Sequence, residues 1–281
     1  MKVVLFCGGF GLRLGKSSET IPKPMLLIGY RPILWHVMKY YAHFGHKDFI
    51  LCLGWQANVI KQYFLNYDEC ISNDFVFSNG GQKVELKSSD IHDWNITFVD
   101  TGMTANIGER LQAVQPYLAN EERFLANYTD GLHDLDLNQL LDFHEKRQST
   151  ASFVSVRPTQ SFHAVKTNGN GIVKELSPIT DSGIWMNAGC FVFEPSIFDY
   201  MEPGEELVAE PFERLAAQEK LHTYKHNGFF GCMDTLKEKQ RLDELYATGK
   251  AHWAVWEKLS PKSGISSMSS NGIPFQNGIP R

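Results

Sequence analysis

The most constraining feature of the sequence is an alternation of short apolar strands and amphipathic helices over its first 156 residues. The strand segments are rich in β-branched and aromatic residues, whereas the helical segments repeat apolar residues every three or four positions. This alternation predicts an α/β fold: a Rossmann-like, mostly parallel sheet with helices on both faces. The predicted strands are 2–7, 48–53, 95–99, 122–127 and 150–156, and the predicted helices are 32–41, 56–67, 108–117 and 137–146.

The pattern changes after residue 157, where extended segments become shorter and Gly-containing turns separate them. Strands are expected at 164–167, 172–175 and 186–193, and helices at 206–219 and 234–249. We interpret 157–258 as a smaller half that joins the same sheet, so that 1–258 form one domain. Residues 259–281 are rich in Ser, Gly, Pro and Asn, a composition typical of a flexible tail.

Composition excludes several classes of function. The 281-residue chain has a formal net charge of −5 and a pI of about 6.1, which argues against binding nucleic acid or an anionic membrane. No apolar stretch approaches the length of a membrane span, and no signal peptide is recognisable. The five cysteines are widely spaced and odd in number, which favours reduced thiols and a cytoplasmic location.

A glycine-rich loop follows the first predicted strand, in the stretch CGGFGLRLGK. The dinucleotide fingerprint requires a third glycine at position 14, which is Leu14, and the Walker A pattern requires glycine at position 10, which is Phe10. Bare backbone N–H groups can nevertheless bind an anion there, with Arg13 and Lys23 supplying charge. The loop therefore indicates a phosphate site, the alternative being a tight turn that carries surface bases.

Several separated segments resemble the sugar-phosphate nucleotidylyltransferases, and most of all the glucose-1-phosphate cytidylyltransferase branch. The first is GGFGLRLGKSSETIPKPM, whose glycine-arginine loop and Lys-Pro-Met element are followed by RPILWH. Matching segments continue in the same order to about residue 256: NITFVDTG, GERL, FLANYTDG, MNAGCFVFEP, GFFGCMDT and GKAHWAVW. Ordered matches of this kind are more specific than any one loop.

The resemblance implies the transfer of a nucleotidyl group from CTP to a phosphorylated small-molecule acceptor, with release of pyrophosphate. No protein nucleophile takes part, so the protein must position two polyanions and neutralise their charge. Arg13 and Lys23 are the implied catalytic residues, on the departing and the α-phosphates. The implied nucleotide contacts are Cys7, Gly8, Gly9, Gly11, Arg13, Lys23, Thr104, Arg110 and Asp130. The two halves of the domain then become a nucleotide-binding half, 1–156, and an acceptor-binding half, 157–258.

Two aspartates are implied to hold Mg²⁺. Asp130 follows an apolar strand in a Tyr-Thr-Asp-Gly turn, and Asp234 precedes a predicted helix. Mg²⁺ needs few carboxylates because phosphate and water supply its other ligands. Asp234 could instead cap the helix, but Thr235 with Glu238 forms a capping-box pattern that competes for this role.

Arg110 is implied to read the nucleotide base, by donating to O2 of cytosine while a backbone carbonyl accepts from N4. The alternative is a solvated arginine on a helix surface.

The acceptor half departs from the family pattern. Where the family has Glu-Lys-Pro, with a lysine for the acceptor phosphate, this chain has Leu176-Ser177-Pro178. His163 replaces a residue that leaves open space for the sugar, and it is either an acceptor contact or a core histidine. Asn187 matches the sugar-contacting asparagine. We therefore expect His163, Ser177 and Asn187 to bind glucose 1-phosphate or another phosphorylated acceptor, such as a different sugar, a polyol or an amino-acid phosphate in capsule decoration.

Two other classes of function are less favoured. A non-catalytic nucleotide-sugar sensor would not need Arg13, Lys23 and both aspartates. An NAD(P) oxidoreductase would need the missing third glycine and an acid after the second strand, where Leu53-Gly54 stands. The resemblance also implies a homo-oligomer.

Overall fold

The computed structural model describes residues 1–9, 21–159 and 162–257. Its centre is a seven-stranded sheet with the order β14-β10-β13-β8-β1-β4-β7. The fifteen strands of the described residues are β1 Lys2–Phe6, β2 Leu27–Ile28, β3 Arg31–Pro32, β4 Asp48–Leu53, β5 Phe75–Ser78, β6 Lys83–Leu86, β7 Asn95–Asp100, β8 Phe124–Asn127, β9 Gly131–His133, β10 Ala151–Val156, β11 His163–Thr167, β12 Val173–Pro178, β13 Met186–Phe193, β14 Leu221–His226 and β15 Phe230–Cys232.

The helices complete the α/β architecture. They are α1 Ile33–His43, α2 Ala57–Leu65, α3 Glu69–Ser72, α4 Ile107–Val114, α5 Leu137–Arg147, α6 Glu210–Ala217 and α7 Leu236–Ala247. None of the helices in the described part of the chain is long and apolar enough to cross a membrane.

Six of the seven central strands run in one direction, and only β13 is antiparallel to its neighbours. The chain builds β1, β4 and β7 outward on one side, then returns to the other side of β1 with β8. The strand order therefore reverses between β1 and β8. In open α/β sheets, ligands bind at such a reversal, outside the carboxyl ends of the strands.

Helices cover both faces of the sheet, as the sequence predicts. Side chains alternate along β1, so Val3 and Leu5 enter one core while Val4 and Phe6 enter the other. The first core includes side chains of α1, α2, α5 and α7, and the second includes those of α4 and α6. Burial on both faces explains why these strands read as unbroken apolar runs.

Several predicted boundaries are wrong for identifiable reasons. The helix expected at 108–117 ends at Val114 and continues as a 3₁₀ turn over Gln115–Leu118. Pro116 accounts for this, because it has no N–H and its ring disfavours a continuing α-helix. The helix expected from 206 begins at Glu210, with Pro211 in its first turn. The hairpin β5–β6 and the strands β9, β14 and β15 were not predicted.

Candidate active site

Three charged side chains from distant parts of the chain meet at the carboxyl edge of the sheet. Lys23 lies in a single 3₁₀ turn, Lys23–Met25, behind Pro22. Its ammonium donates to Oδ2 of Asp130 at 2.7 Å and to Oδ1 of Asp234 at 2.5 Å. Asp130 follows β8 by three residues, so the cluster lies beside the reversal between β1 and β8.

The cluster holds two carboxylates against one ammonium in a partly buried place. The Lys23 side chain is 15% exposed. Burial alone would lower the pKa of Lys23, but Asp130 and Asp234 outweigh it and raise this pKa to about 12. Burial raises the pKa of Asp130 above its ordinary value, against the opposing effect of Lys23 and with a further rise from Asp234. When both carboxylates are ionised, the cluster has an excess negative charge that a further cation would offset.

The residues present fit a divalent cation. Asp130, Cys232 and Asp234 each offer a ligand atom, and these atoms lie within 4.8 Å of one another. The two carboxylates are the hard oxygen donors that Mg²⁺ prefers. Burial raises the pKa of the Cys232 thiol well above its usual range, with Asp130 adding to the effect. Sulfur is also a soft ligand, which Mg²⁺ does not favour.

The turn that carries Asp130 is strained and tightly held. Thr129 has φ of 65°, a left-handed conformation that is unusual for a β-branched residue. Its N–H donates to Oδ1 of Asn127 at 2.9 Å, and its hydroxyl donates to the carbonyl of Phe6 at 2.9 Å. The amide of Asn127 in turn donates to Tyr41. These buried bonds fix the path of the chain immediately before Asp130.

Asp234 is placed by the start of α7. Thr235 is the N-cap, and its capping box with Glu238 is formed in both directions, as the sequence pattern predicts. With Thr235 capping the helix, the carboxylate of Asp234 can turn toward Lys23. The N–H of Met233 donates to the carbonyl of Asp130 at 2.9 Å, which ties the two acidic segments together.

Arg110 is not a solvated arginine, because it is only 3% exposed. Its guanidinium donates to the carbonyls of Leu53 and Gly8, both at 3.1 Å, and to the Thr101 hydroxyl at 2.7 Å. These acceptors lie at or just after the carboxyl ends of β4, β1 and β7, so one side chain links three adjacent strand ends. Burial lowers the pKa of Arg110.

Two glycines make room for this guanidinium. A Cβ on Gly8 would lie 2.1 Å from a terminal nitrogen of Arg110, and one on Gly54 would lie 2.9 Å from the carbonyl of Gly102 and 3.0 Å from the same arginine. Gly8 is thus required here by the buried arginine, in addition to any approach by a ligand.

The remaining predicted nucleotide contacts divide into three groups. Cys7 is buried, and its N–H donates to Cys52 at 2.9 Å, which prolongs the β1–β4 ladder. Gly9 and Thr104 are exposed, the latter in the loop between β7 and α4. Gly11 and Arg13 lie outside the described residues.

The three predicted acceptor residues lie at exposed or half-buried positions on two different sheets. His163 is exposed at the start of β11, so the alternative of a core histidine is wrong. Ser177 pairs with Ala164, and His163 pairs with Pro178, so His163 and Ser177 lie at the same end of a two-stranded hairpin but on opposite faces. Asn187, at the start of β13, is exposed, and its Oδ1 accepts from the N–H of Gly189 at 2.8 Å.

Sequence reasoning missed four residues that build the site: Thr101, Asn127, Thr129 and Cys232. Cys232 is two residues from Asp234 along an extended segment, a spacing that places both side chains on one side and could have been noticed. The left-handed conformation of Thr129 has no sequence signal, since its type does not favour it. The bonds from Asn127 and to Thr101 depend on tertiary contacts.

The sheet is doubly wound, and a lysine lies between two carboxylates at the strand reversal. These features define an α/β protein suited to binding a phosphorylated ligand with a cation. Residues 2–235 match the family model described as nucleotidyl transferase. The chain therefore belongs to the nucleotidyl transferase family, whose members catalyse nucleotidyl transfer and generally use a divalent metal.

The chain is similar in sequence to nucleotidyltransferases of different base specificity. The glucose-1-phosphate cytidylyltransferase of Salmonella typhimurium is 38% identical over 258 residues, which are 92% of this chain and 100% of the relative. The mannose-1-phosphate guanyltransferase of Yarrowia lipolytica is 24% identical over 248 residues, 86% of this chain and 62% of the relative. The crystal structure of a UDP-glucose pyrophosphorylase complexed with UDP-glucose matches with a TM-score of 0.65 at 16% identity, covering 88% of this chain and 98% of the other, and it shows the fold alone.

Proposed function

We propose that the protein is a cytidylyltransferase that joins CTP to glucose 1-phosphate and releases pyrophosphate. The single observation that carries the proposal is the meeting of Lys23, Asp130 and Asp234 beside the strand reversal. Such a site can bind a triphosphate and the cation that accompanies it. The 38% identity to the Salmonella cytidylyltransferase over its whole length supports CTP and glucose 1-phosphate as substrates.

The proposed chemistry requires positioning and charge neutralisation, without a protein nucleophile. The acceptor phosphate attacks the α-phosphorus of CTP in line, and pyrophosphate leaves from the opposite side. Lys23 stabilises charge on the α-phosphate, while Arg13 holds the β- and γ-phosphates. We infer that Mg²⁺, held by Asp130 and Asp234, supplies further neutralisation of phosphate charge when bound.

The proposed nucleotide contacts after β1 are Cys7, Gly8, Gly9 and Gly11, with the base near Thr104 and Arg110. The buried guanidinium of Arg110 supports the Gly8 carbonyl, so it shapes this surface even where it does not contact the base. The exposed backbone at Gly9 is compatible with close approach of a phosphate.

A second candidate concerns the acceptor. Leu176 and Ser177 stand where the family has an acid and a phosphate-binding lysine, and the Leu176 side chain is exposed. This departure favours either of two outcomes. Glucose 1-phosphate is bound by residues other than such a lysine, or the acceptor is another sugar phosphate, a polyol phosphate or an amino-acid phosphate. His163, Ser177 and Asn187 are the proposed contacts in either case.

We also propose that the enzyme acts in the cytoplasm as a homo-oligomer and supplies an activated precursor for polysaccharide synthesis. These proposals follow from its family resemblance, from its acidic composition and from its widely spaced cysteines, which we expect to be reduced thiols.

The test is pyrophosphate release from each of the four nucleoside triphosphates, paired with a panel of phosphorylated acceptors in the presence of Mg²⁺. We expect release with CTP and glucose 1-phosphate. A preference for GTP or UTP would contradict the base assignment, and faster release with a non-glucose acceptor would establish the second candidate. No release with any pair would favour a nucleotide-sugar sensor.

A further inference from the structure

The ammonium of Lys23 occupies the position between the two carboxylates that are proposed to hold the cation. It contacts Oδ2 of Asp130 at 2.7 Å and Oδ1 of Asp234 at 2.5 Å, so it bridges them. The Lys23 side chain is 15% exposed and that of Asp130 is 26% exposed, whereas that of Asp234 is 44% exposed, so solvent screens the contact with Asp130 less than the contact with Asp234. Lys23 therefore already acts as the counter-ion of this acidic pair.

A divalent cation and this ammonium cannot share the same two oxygens. Mg²⁺ binds carboxylate oxygens at about 2.1 Å, so an ion bridging them would overlap the ammonium, which lies at nearly the same place. Even an ion on the other oxygens would lie a few ångströms from the positive charge of Lys23 in a partly buried site, where the two cations repel each other.

The surroundings of Lys23 allow its side chain to move while its backbone stays. The N–H of Met25 donates to the carbonyl of Pro22, and the N–H of Leu26 donates to the carbonyl of Lys23. Pro22, Pro24 and Met25 are buried, so the segment is anchored on both sides of the lysine. Only the flexible four-carbon side chain is available to relocate the charge.

We propose that Lys23 and the divalent cation exchange places: the ammonium bridges Asp130 and Asp234 and offsets part of their charge until the cation arrives, and is then displaced toward the bound phosphate. The inference rests on the proposed function only in placing a cation at these two aspartates. It assigns one lysine two successive partners: the two carboxylates before the cation binds, and phosphate afterwards.

The first test measures Mn²⁺ binding to the nucleotide-free protein by calorimetry and by electron paramagnetic resonance. Lys23→Met, which keeps side-chain length but removes the charge, should bind Mn²⁺ about tenfold more tightly or better, a modest share of the repulsion expected in such a site. Lys47→Met is the matched control, because Lys47 pairs with Asp93 before β4, at the opposite edge of the sheet. Equal or weaker Mn²⁺ binding by Lys23→Met would overturn the exchange.

The second test uses the unmodified protein, in case Lys23→Met does not fold. Trace acylation of amines, read by mass spectrometry, reports how accessible each lysine is. Labelling of Lys23 should rise at Mn²⁺ concentrations that saturate the site, whereas labelling of Lys47 should not change. Unchanged labelling of Lys23 at saturation would show that the ammonium stays in place and would overturn the proposal.

Failure of the exchange can be told apart from failure of the proposed function. If Asp130→Asn abolishes Mn²⁺ binding but Lys23→Met does not strengthen it, the cation site stands and the exchange is wrong. If Asp130→Asn leaves Mn²⁺ binding intact, the cation binds elsewhere, and both the exchange and the cation site fail. Pyrophosphate release tests the transferase activity independently of both.

Discussion

The strand ends around the proposed nucleotide site and the hairpin of the proposed acceptor site are held in very different ways. Around the proposed nucleotide site, Arg110, Asn127 and Thr129 are each no more than 3% exposed, and each makes hydrogen bonds to the backbone or side chains of neighbouring strand ends. The hairpin β11–β12, which carries His163 and Ser177, forms a separate two-stranded sheet whose residues are exposed or half-buried.

This difference suggests how proteins of one fold can retain the same reaction while their acceptor substrates vary. Groups that handle triphosphate and cation need fixed positions, because small displacements reduce catalysis steeply. Groups that select an acceptor can lie on an exposed hairpin, since changes there disturb no buried network. The comparison predicts that substitutions in the first region reduce both stability and turnover, whereas those in the hairpin change only acceptor use.

The largest effect is expected for the two carboxylates. Asp130→Asn and Asp234→Asn should each reduce turnover about 100-fold or more, the scale of losing a preorganised charge. Steady-state pyrophosphate release measures this directly. Asp243→Asn provides a control, since Asp243 pairs with Lys239 on α7, away from the cluster. Full turnover in either site variant would make that aspartate structural.

The next largest effect is expected for Arg110. Arg110→Met should lower the free energy of unfolding by about 1.5–3 kcal/mol, because the buried carbonyl of Gly8 loses a charged donor, whereas the carbonyl of Leu53 keeps the N–H and the hydroxyl of Thr101. It should also raise KM for the nucleotide more than it lowers kcat. Urea unfolding and steady-state kinetics check both effects. Arg110→Lys should recover little, since an ammonium cannot reach three strand ends at once.

A somewhat smaller effect is expected for the support of the Asp130 turn. Asn127→Ala removes the acceptor of the Thr129 N–H and should cost about 1–2 kcal/mol of unfolding free energy. Because the strained turn then relaxes, Mn²⁺ affinity should fall severalfold. Binding calorimetry at matched folded fractions would show this, and an unaltered affinity would mean that Asp130 is positioned without Asn127.

Acid should destabilise the protein through His36, which is buried against Trp253. Trp253 donates to its Nδ1, so Nε2 carries the hydrogen that is shared with the carbonyl of Ile28. Burial lowers the pKa of His36 from 6.5 to about 4. Stability from the neutral ring is therefore present above pH 6.5 and is lost as pH falls toward 4, at about 1.4 kcal/mol per pH unit or less. His36→Gln should flatten this slope in urea unfolding, and an unchanged slope would contradict the assignment.

The smallest effects are expected in the hairpin. His163→Ala and Ser177→Ala should change KM for the acceptor by about threefold to tenfold, the scale of one hydrogen bond, and leave KM for the nucleotide unchanged. Both residues are on exposed or half-buried positions, so the melting temperature should not move. A loss of stability in either variant would remove the contrast between the two regions.

The sequence alone predicts the sheet class and most central elements, because strands buried on both faces of a sheet appear in the sequence as continuous apolar runs. It predicts the capping box of α7, which depends on adjacent residues. It does not predict the meeting of Lys23 with Asp130 and Asp234, which are 107 and 211 residues away. Their roles come from family resemblance, and their geometry comes from tertiary contacts among segments that are distant along the chain.

The polar support of the site is beyond sequence reasoning for a physical reason. Arg110 and Asn127 are of types that are usually solvated, and only tertiary contacts supply their buried acceptors. The hairpin β5–β6 was not predicted because its apolar residues are exposed on a small separate sheet, where burial imposes no clear apolar pattern.

The reversed direction of β13 has a consequence for engineering. Because β13 is antiparallel, Val156 at the end of β10 pairs directly with Met186 at its start. Residues 157–185 therefore leave and rejoin the sheet at neighbouring points, on the edge where Asp130 lies. Exchanging residues 157–185 between relatives therefore alters the hairpin that carries His163 and Ser177, while the ends of the exchanged segment meet the sheet at one paired position.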